Sequence, residues 1–220
     1  MGLKETMEQR KSARAFRREP VPREVLQDVL RGALRAPSWG NTQPWKMTVV
    51  GGEALQTMIG ESVKRVLAGE SPSPDVEMPR HWPSELDRRY KQNGKKLFEA
   101  LGIERGDQEG RIAHRLSMFR LFDAPQAIYL HQERTLSAYS IFDAGLLAQN
   151  ITLLAEERGL GTCFLAVSVL FPEVIRKHAG IPDTDRILIG LAIGYPEEKA
   201  PINRFRSERV PLQDVVRWVD

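Results

Sequence analysis

Much of what usually marks a catalytic or anchored chain is missing from these 220 residues. Cys163 is the single cysteine, which excludes an internal disulfide or a thiolate metal cage and fits a reducing compartment. The four histidines, His81, His114, His131 and His178, are scattered and form no helical ligand pair, so no metal site is expected. A Walker lysine loop and a G-x-S-x-G elbow are both absent, which removes most support for kinase and hydrolase chemistry. No apolar run approaches the roughly 18 residues of a membrane-crossing helix, and Met1 to Arg10 lacks the apolar stretch of a signal peptide. The expectation is a cytoplasmic protein with no membrane partner.

Hydrophobic residues make up 41% and charged residues 28%, a balance typical of ordinary globular domains. The length favours one domain over residues 1–220, without internal repeats or low-complexity segments. Net charge is only +3, yet the isoelectric point is about 9.1, and arginines cluster at Arg10 to Arg18 and Arg204 to Arg209. No nucleic-acid module with aromatic platforms or a reading helix accompanies them, so no nucleic-acid partner is expected. The clusters are either a solvated basic face or two halves of a site for one anionic small molecule.

Hydrophobic spacing predicts helices over Leu3 to Lys11, Arg23 to Ala36 after Pro22, and Ala54 to Ala68. Met47 to Val50, Ala127 to Leu130, Thr162 to Val167 and Ile187 to Ile193 read as strands, the last covered on both faces. Gly190 and Gly194 leave room for a close approach. Ser84 to Leu101 and Gly110 to Phe122 read as charged, partly buried helices that follow a proline-rich loop from Gly69 to Pro83. Residues 69–121 therefore look like an insertion or lid. Ala138 to Ala155 is apolar nearly all round, so this helix should be central, with Gly159 as its stop; Pro172 to Ala179 completes the set. The sum is an α+β or mixed α/β layered architecture. So few strands for so many helices hints that a partner subunit completes their burial.

Three segments carry candidate chemistry. Arg10-Lys11-Ser12-Ala13-Arg14-Ala15-Phe16 gathers three cations and a hydroxyl past a helix, enough to clamp a phosphate, although a solvated charge run is the simpler reading. Ala36-Pro37-Ser38-Trp39-Gly40-Asn41-Thr42-Gln43-Pro44-Trp45 offers neutral donors, acceptors and a flat surface suited to a heteroaromatic ring, with Trp45 itself better placed as packing. Gly159-Leu160-Gly161-Thr162-Cys163-Phe164-Leu165-Ala166-Val167 lacks the third glycine and the preceding strand of a dinucleotide fingerprint. Cys163, in an apolar run with no matched histidine, reads as a buried inert thiol.

In this order, and with the tail Asn203-Arg204-Phe205-Arg206-Ser207-Glu208-Arg209-Val210-Pro211-Leu212, these segments resemble the FMN-dependent nitroreductase superfamily over nearly the whole chain outside the insertion. The resemblance implies a central, mostly antiparallel sheet flanked by helices in an intertwined homodimer, with residues 200–220 extending onto the partner subunit. It implies that Arg10, Ser12 and Arg14, with Arg209 from the tail and Lys11 beside them, hold the FMN phosphate, ribityl chain and pyrimidine edge. Pro37, Ser38, Trp39, Asn41 and Gln43 would reach the flavin from the partner. The backbone of Ala166 and Val167 would lie near flavin N5 and O4, where some relatives carry Glu-Gly. A further asparagine or lysine contact of some members has no match among Ser117, Met118 and Arg120.

The implied activity is hydride transfer from NADH or NADPH through flavin N5 to an electron-poor acceptor such as a nitroaromatic or quinone. The flavin carries the chemistry, so no catalytic acid, base or nucleophile is required of the chain. Trp82, Tyr90, Phe98 and Phe119 are the aromatic candidates for the pocket wall, although each taken singly is better placed as packing. Alternatives are reductive dehalogenation, enoate reduction or dehydrogenation on the same scaffold, or a flavin-binding redox module without turnover.

Overall fold

The structure, a computed structural model, describes residues 2–219. Met1 and Asp220, the ends of the expected domain and tail, lie outside the described residues. Four strands, β1 (Lys46–Gly51), β2 (Gln126–Glu133), β3 (Gly161–Leu165) and β4 (Asp185–Gly194), form one sheet in the order β1-β2-β4-β3. Every neighbouring pair is antiparallel.

Side chains alternate along β2 and divide the core in two. Ala127 and Tyr129 join a cluster with Leu55, Met58, Phe119 and Ile175 on one face. Ile128 and Leu130 join Leu26, Val29, Leu147 and Ile151 on the other. The first face is covered by α3 (Gly52–Leu67), α5 (Gln108–Phe119) and α7 (Pro172–Ala179), the second by α2 (Arg23–Ala33) and α6 (Ala138–Glu157). The apolar run of β4 is thus covered on both sides. A register shift against Leu130 and His131 makes Ile187, rather than Leu188, the partner of His131. That bulge lets Ile187 face the first cluster while Ile189 and Leu191 face the second, against simple alternation.

The helices end where local chemistry stops them. Pro172 opens α7 and Gly180, at φ 67°, closes it in the left-handed region. Gly159 does the same after α6, at φ 71°. The expected helix over Gly110 to Phe122 ends earlier, at Phe119, because Leu121, Phe122 and Asp123 all adopt positive φ (56°, 55° and 60°). Three successive L-residues in this region are costly, about 1–2 kcal/mol each, and burial of Leu121 and Phe122 in the first cluster offsets the cost. The strand expected to reach Val167 stops at Leu165, where the Ser168 hydroxyl donates to the Leu165 carbonyl at 2.7 Å and a 3-10 turn, Ala166–Val169, begins.

The space left by two strand glycines is filled by the protein itself. A Cβ on Gly190 would lie 2.1 Å from Ser168 Oγ, and one on Gly194 2.7 Å from Pro125 Cδ. Helix α6 packs on α2, with Leu154 Cδ1 2.8 Å from where a Gly32 Cβ would be. One side of its first turns is uncovered, with Tyr139 and Phe142 exposed, while Ser140 and Asp143 on the other side are buried.

The proline-rich loop is anchored through a carboxylate. Asp75, its side chain 6% exposed, accepts from Arg134 at 2.7 Å, from Arg176 at 2.5 Å and from the Ile187 backbone N–H at 2.8 Å. Burial pushes its carboxyl up, but the Ile187, Arg176 and Arg134 hydrogen bonds outweigh this and hold it below 3.8. A group with a depressed folded-state value stabilises the fold above its unfolded value and loses that contribution as pH falls toward the folded one. Asp75→Asn is therefore expected to cost about 2 kcal/mol at neutral pH. Thermal melts of wild type and variant should draw together as pH falls from 3.8 through the lower folded-state value, because the wild type is then losing the same interaction.

Candidate functional site

Helix α1 (Leu3–Gln9) releases the chain at Arg10, whose N–H still bonds the Thr6 carbonyl at 2.9 Å. The next residues run beside β3. The Ala13 N–H donates to Thr162 O at 2.9 Å, and a side chain on Gly161 would bring its Cβ 2.6 Å from that of Ala13. Glycine at 161 is what lets the basic segment approach the sheet.

The tail fixes the segment from the other side. Asn203, only 3% exposed, accepts from the Arg14 N–H at 2.7 Å and donates to Ala15 O at 2.8 Å and Glu197 O at 2.9 Å. The Arg206 guanidinium donates to the Glu8 and Gln9 carbonyls at 2.8 and 3.2 Å, which occupies acceptors at the end of α1. Arg209 is curled onto Ser207, donating to its hydroxyl at 2.8 Å. The Arg14 guanidinium stands 5.8 Å from the centre of the Phe205 ring.

The outcome is a cleft of about 400 Å³ into which Arg10, Lys11, Arg14, Arg206 and Arg209 all face, together with Ser12. The structure thus brings together Arg10, Lys11, Ser12, Arg14 and Arg209, which come from opposite ends of the chain. Arg10 Nε is buried without a hydrogen-bond partner, an orphan donor that an anion would satisfy. Glu156 at the end of α6 faces the same cations, yet burial pushes its carboxyl up against the opposing pull of Lys11, Arg206 and Arg10. A phosphate fits this donor set in charge and in hydrogen-bonding type.

Pro37, Ser38, Trp39, Asn41 and Gln43 do not line that cleft. They form a turn docked on α6, with the Trp39 N–H donating to Asp143 at 3.1 Å and the Trp39 ring 4.6 Å from that of Tyr139. Gly40, Asn41 and Gln43 have φ of 56°, 56° and 48°, and the Gln43 N–H is held by Ser38 Oγ at 2.9 Å. Ala166 and Val167 lie half-buried in the turn after β3, against which α5 packs. Trp45 belongs to the second core cluster, as its place beside the strand implied. Cys163 is buried, and burial pushes its thiol up.

The aromatic candidates divide. Tyr90 and Phe98 line a recess of about 930 Å³ beside α4 (Ser84–Ala100). Phe119 does not; it is 3% exposed in the core, because the last turn of α5 points that position at the sheet. Trp82 is exposed in the loop before α4 and is not part of that recess. Sequence reasoning missed Asn203 and Arg206 as individual anchors, although both fall in the tail segment singled out. A lone polar residue in a basic tail carries no mark of being buried.

Among the described residues, no group of three His, Cys, Asp or Glu could hold a metal, and no helix is long and apolar enough to cross a membrane. His131 is engaged between Asp185 (2.7 Å) and the Thr48 hydroxyl (2.9 Å), and Asp185 also accepts from the half-exposed Lys46 at 2.9 Å, a strand-linking chain centred on a buried carboxylate.

An antiparallel sheet with helices on both faces and a cationic cleft at its β3 edge defines an α+β protein built to hold a phosphorylated ligand. Residues 7–195 match the model of the Nitroreductase family, and the chain belongs to it. It is 32% identical over 214 residues to a nitrobenzene nitroreductase of Ectopseudomonas oleovorans (96% of this chain, 93% of the relative). It is 33% identical over 217 residues to a 4-nitrobenzoate reductase of Pseudomonas putida (96% and 92%). The structure of the FMN and NADPH-dependent nitroreductase NfnB from sphigopyxis sp. strain HMH superposes with a TM-score of 0.96 at 35% identity, covering 100% of both chains. That of the FMN-dependent nitroreductase NfnB from Mycobacterium smegmatis, in complex with NADPH, gives 0.93 at 27% identity with the same coverage.

The geometry separates residues that hold the cleft from those that face into it. Asn203→Leu strands three backbone partners and is expected to cost about 3 kcal/mol of stability. Lys11→Met, removing a cation from a crowd of its own sign, should stay within about 0.5 kcal/mol of wild type. Urea midpoints of the two purified variants make the comparison.

Proposed function

We propose that the chain is a cytoplasmic, FMN-dependent NAD(P)H oxidoreductase that passes a hydride to small electron-poor acceptors such as nitroaromatics or quinones. The observation that carries this reading is the convergence of Arg10, Lys11, Arg14 and Arg209 on one cleft, in a chain whose similar structures are FMN-dependent enzymes. Bound there, FMN supplies the two-electron chemistry. Arg10, Lys11, Ser12 and Arg209 would hold its phosphate, and Arg14 would face the pyrimidine edge, where reduction leaves negative charge that a fixed cation stabilises. Ala166 and Val167 would line the ring with backbone groups, which explains why their side chains can differ from Glu-Gly. No side chain need act as acid or base at that ring; solvent can deliver the proton.

The working form is a homodimer in this reading. Trp39, Tyr139 and Phe142 are exposed aromatics on one side of α6, beside an apolar recess of about 340 Å³ lined by Ile141, Gly145, Ala148, Phe164 and Ile189. Burial of this surface by a second copy would bring Pro37, Ser38, Trp39, Asn41 and Gln43 of one subunit to the cleft of the other. The tail, with Leu212, Val215 and Trp218 exposed, would extend onto the partner. Residues 69–121 would act as the lid, with Tyr90 and Phe98 on its inner wall.

Purified protein should be yellow, release FMN on denaturation, bleach anaerobically with NADH or NADPH and recolour with a nitroaromatic, and sediment as a dimer. Arg14→Ala should weaken FMN binding by roughly 10- to 100-fold, the worth of a hydrogen bond to a charged group. Protein that binds flavin but is never bleached by either nicotinamide would instead be a redox module without turnover.

A further inference from the structure

The recess beside α4 has a distinctive chemistry. Its walls are Tyr90, Phe98 and Ile103, yet Lys91, Lys95, Arg105 and Arg111 open onto it, against two acids, Glu99 and Glu104. The ion pairs at this place join Lys95 to Glu99 at 3.8 Å and Lys91 to Asp87 at 2.6 Å, and leave Arg111 out. Arg111 stands over the Phe98 ring, 4.4 Å from its centre, with Nε buried and lacking a hydrogen-bond partner.

A guanidinium stacked on an aromatic face is held in one orientation and partly stripped of water, so its terminal nitrogens are prepared for a planar two-oxygen anion. Among the described residues no carboxylate pairs with it, Glu99 being engaged by Lys95. One turn further along α5, His114 meets the Phe98 ring edge-on at 5.5 Å and lies 6.0 Å from Phe122. Burial, and then the charge of Arg14, push His114 down from its ordinary value. Helix α5 also packs against the Ala166–Val169 turn.

We propose that this recess selects acceptors bearing a carboxylate or sulfonate on an aromatic ring, with Arg111 binding the anion and Tyr90 and Phe98 flanking the ring. The inference rests on the oxidoreductase reading above and narrows its acceptors. A neutral acceptor gains the apolar walls but leaves Arg111 without a counter-charge. An anionic one gains both. About 930 Å³ is ample for a single substituted ring. The phosphates of a nicotinamide donor share the same chemistry, so the test must distinguish the two anions.

The FMN-loaded wild type, Arg111→Met and Arg111→Lys are compared with 4-nitrobenzoate and with its neutral near-isostere 4-nitrobenzamide. Calorimetry with benzoate, an anion that cannot be reduced, gives a readout independent of turnover. In Arg111→Met, KM for 4-nitrobenzoate should rise about 10- to 100-fold with kcat little changed. KM for 4-nitrobenzamide, NADH and NADPH should stay within about two-fold, benzoate heat should vanish, and Arg111→Lys should restore part of both. Equal losses for the two acceptors would make Arg111 a packing residue and overturn the proposal, as would unchanged 4-nitrobenzoate kinetics. A rise confined to KM for NADPH would assign the anion to the donor instead. Benzoate binding that depends on Arg111 in a wild type that reduces neither acceptor would sink the oxidoreductase reading while leaving the anion site standing.

Discussion

Five cations drawn into one cleft repel one another, and the architecture around them exists in large part to hold them there. Two like charges about 6 Å apart cost roughly 1 kcal/mol in a water-like medium, and more where water is thinned. Carboxylates relieve little of this: Glu8 is the one acid among five cations on the cleft lining, and burial pushes the carboxyl of Glu156, at the end of α6, up. The chain restrains the backbone instead. Ala13 is bonded to Thr162, Asn203 ties Arg14 and Ala15 to Glu197, and Arg206 ties the tail to the end of α1. Repulsion held in place by hydrogen bonds is binding energy in waiting: an anion that enters removes it without moving the frame.

The insertion is held by a different principle. Helix α4 buries none of its side chains fully and α5 buries only Phe119, so hydrophobic burial contributes little to their position. Charge does more. Asp75 pins the loop before them to β4 and α7 through Ile187 and Arg176, and Lys96 reaches Glu208 in the tail. The Asp75 anchor is buried and the Lys96 contact exposed, so the helices are held firmly at one point and loosely elsewhere, and elements with little core burial open more easily than elements sunk in a core.

Legibility in the sequence followed periodicity. The strands of the core were readable because apolar alternation and turn residues agree there, and α7 was readable to its ends because Pro172 and Gly180 mark them. The β4 bulge was invisible, since Ile187, Leu188 and Ile189 look the same from either face. Phe119 was open to both readings, since an aromatic at the end of a charged helix suits a rim as well as a core, and the turn that follows points it inward. The basic segment and tail were legible as charge, but not which residues face the cleft and which clamp it. Arg206 and Arg209 are three apart and alike in composition, yet one bonds helix carbonyls and the other curls on its own loop. Arg111 was one cation among many until the ring beneath it was seen.

The two turns in which non-glycine residues of the described chain adopt left-handed backbone show what the fold can and cannot compensate by itself. At Leu121–Asp123 the strained backbone delivers Leu121 and Phe122 into the core, and about 1.5–3 kcal/mol of burial per side chain matches the strain. At Gly40–Gln43 no such return exists within one chain. Gly40 and Asn41 tolerate positive φ, but Gln43 does not do so readily, and its recorded anchors are Ser38 and Asn41 of the same loop. Trp39 beside it is 64% exposed. Backbone strain without local recompense persists where a conformation serves something beyond its own packing. In this chain that turn and the uncovered aromatics of α6 form one surface. The subunit interface proposed above accounts for both at once, since the same contact that covers Tyr139 and Phe142 would hold the turn in the shape its neighbour's cleft requires.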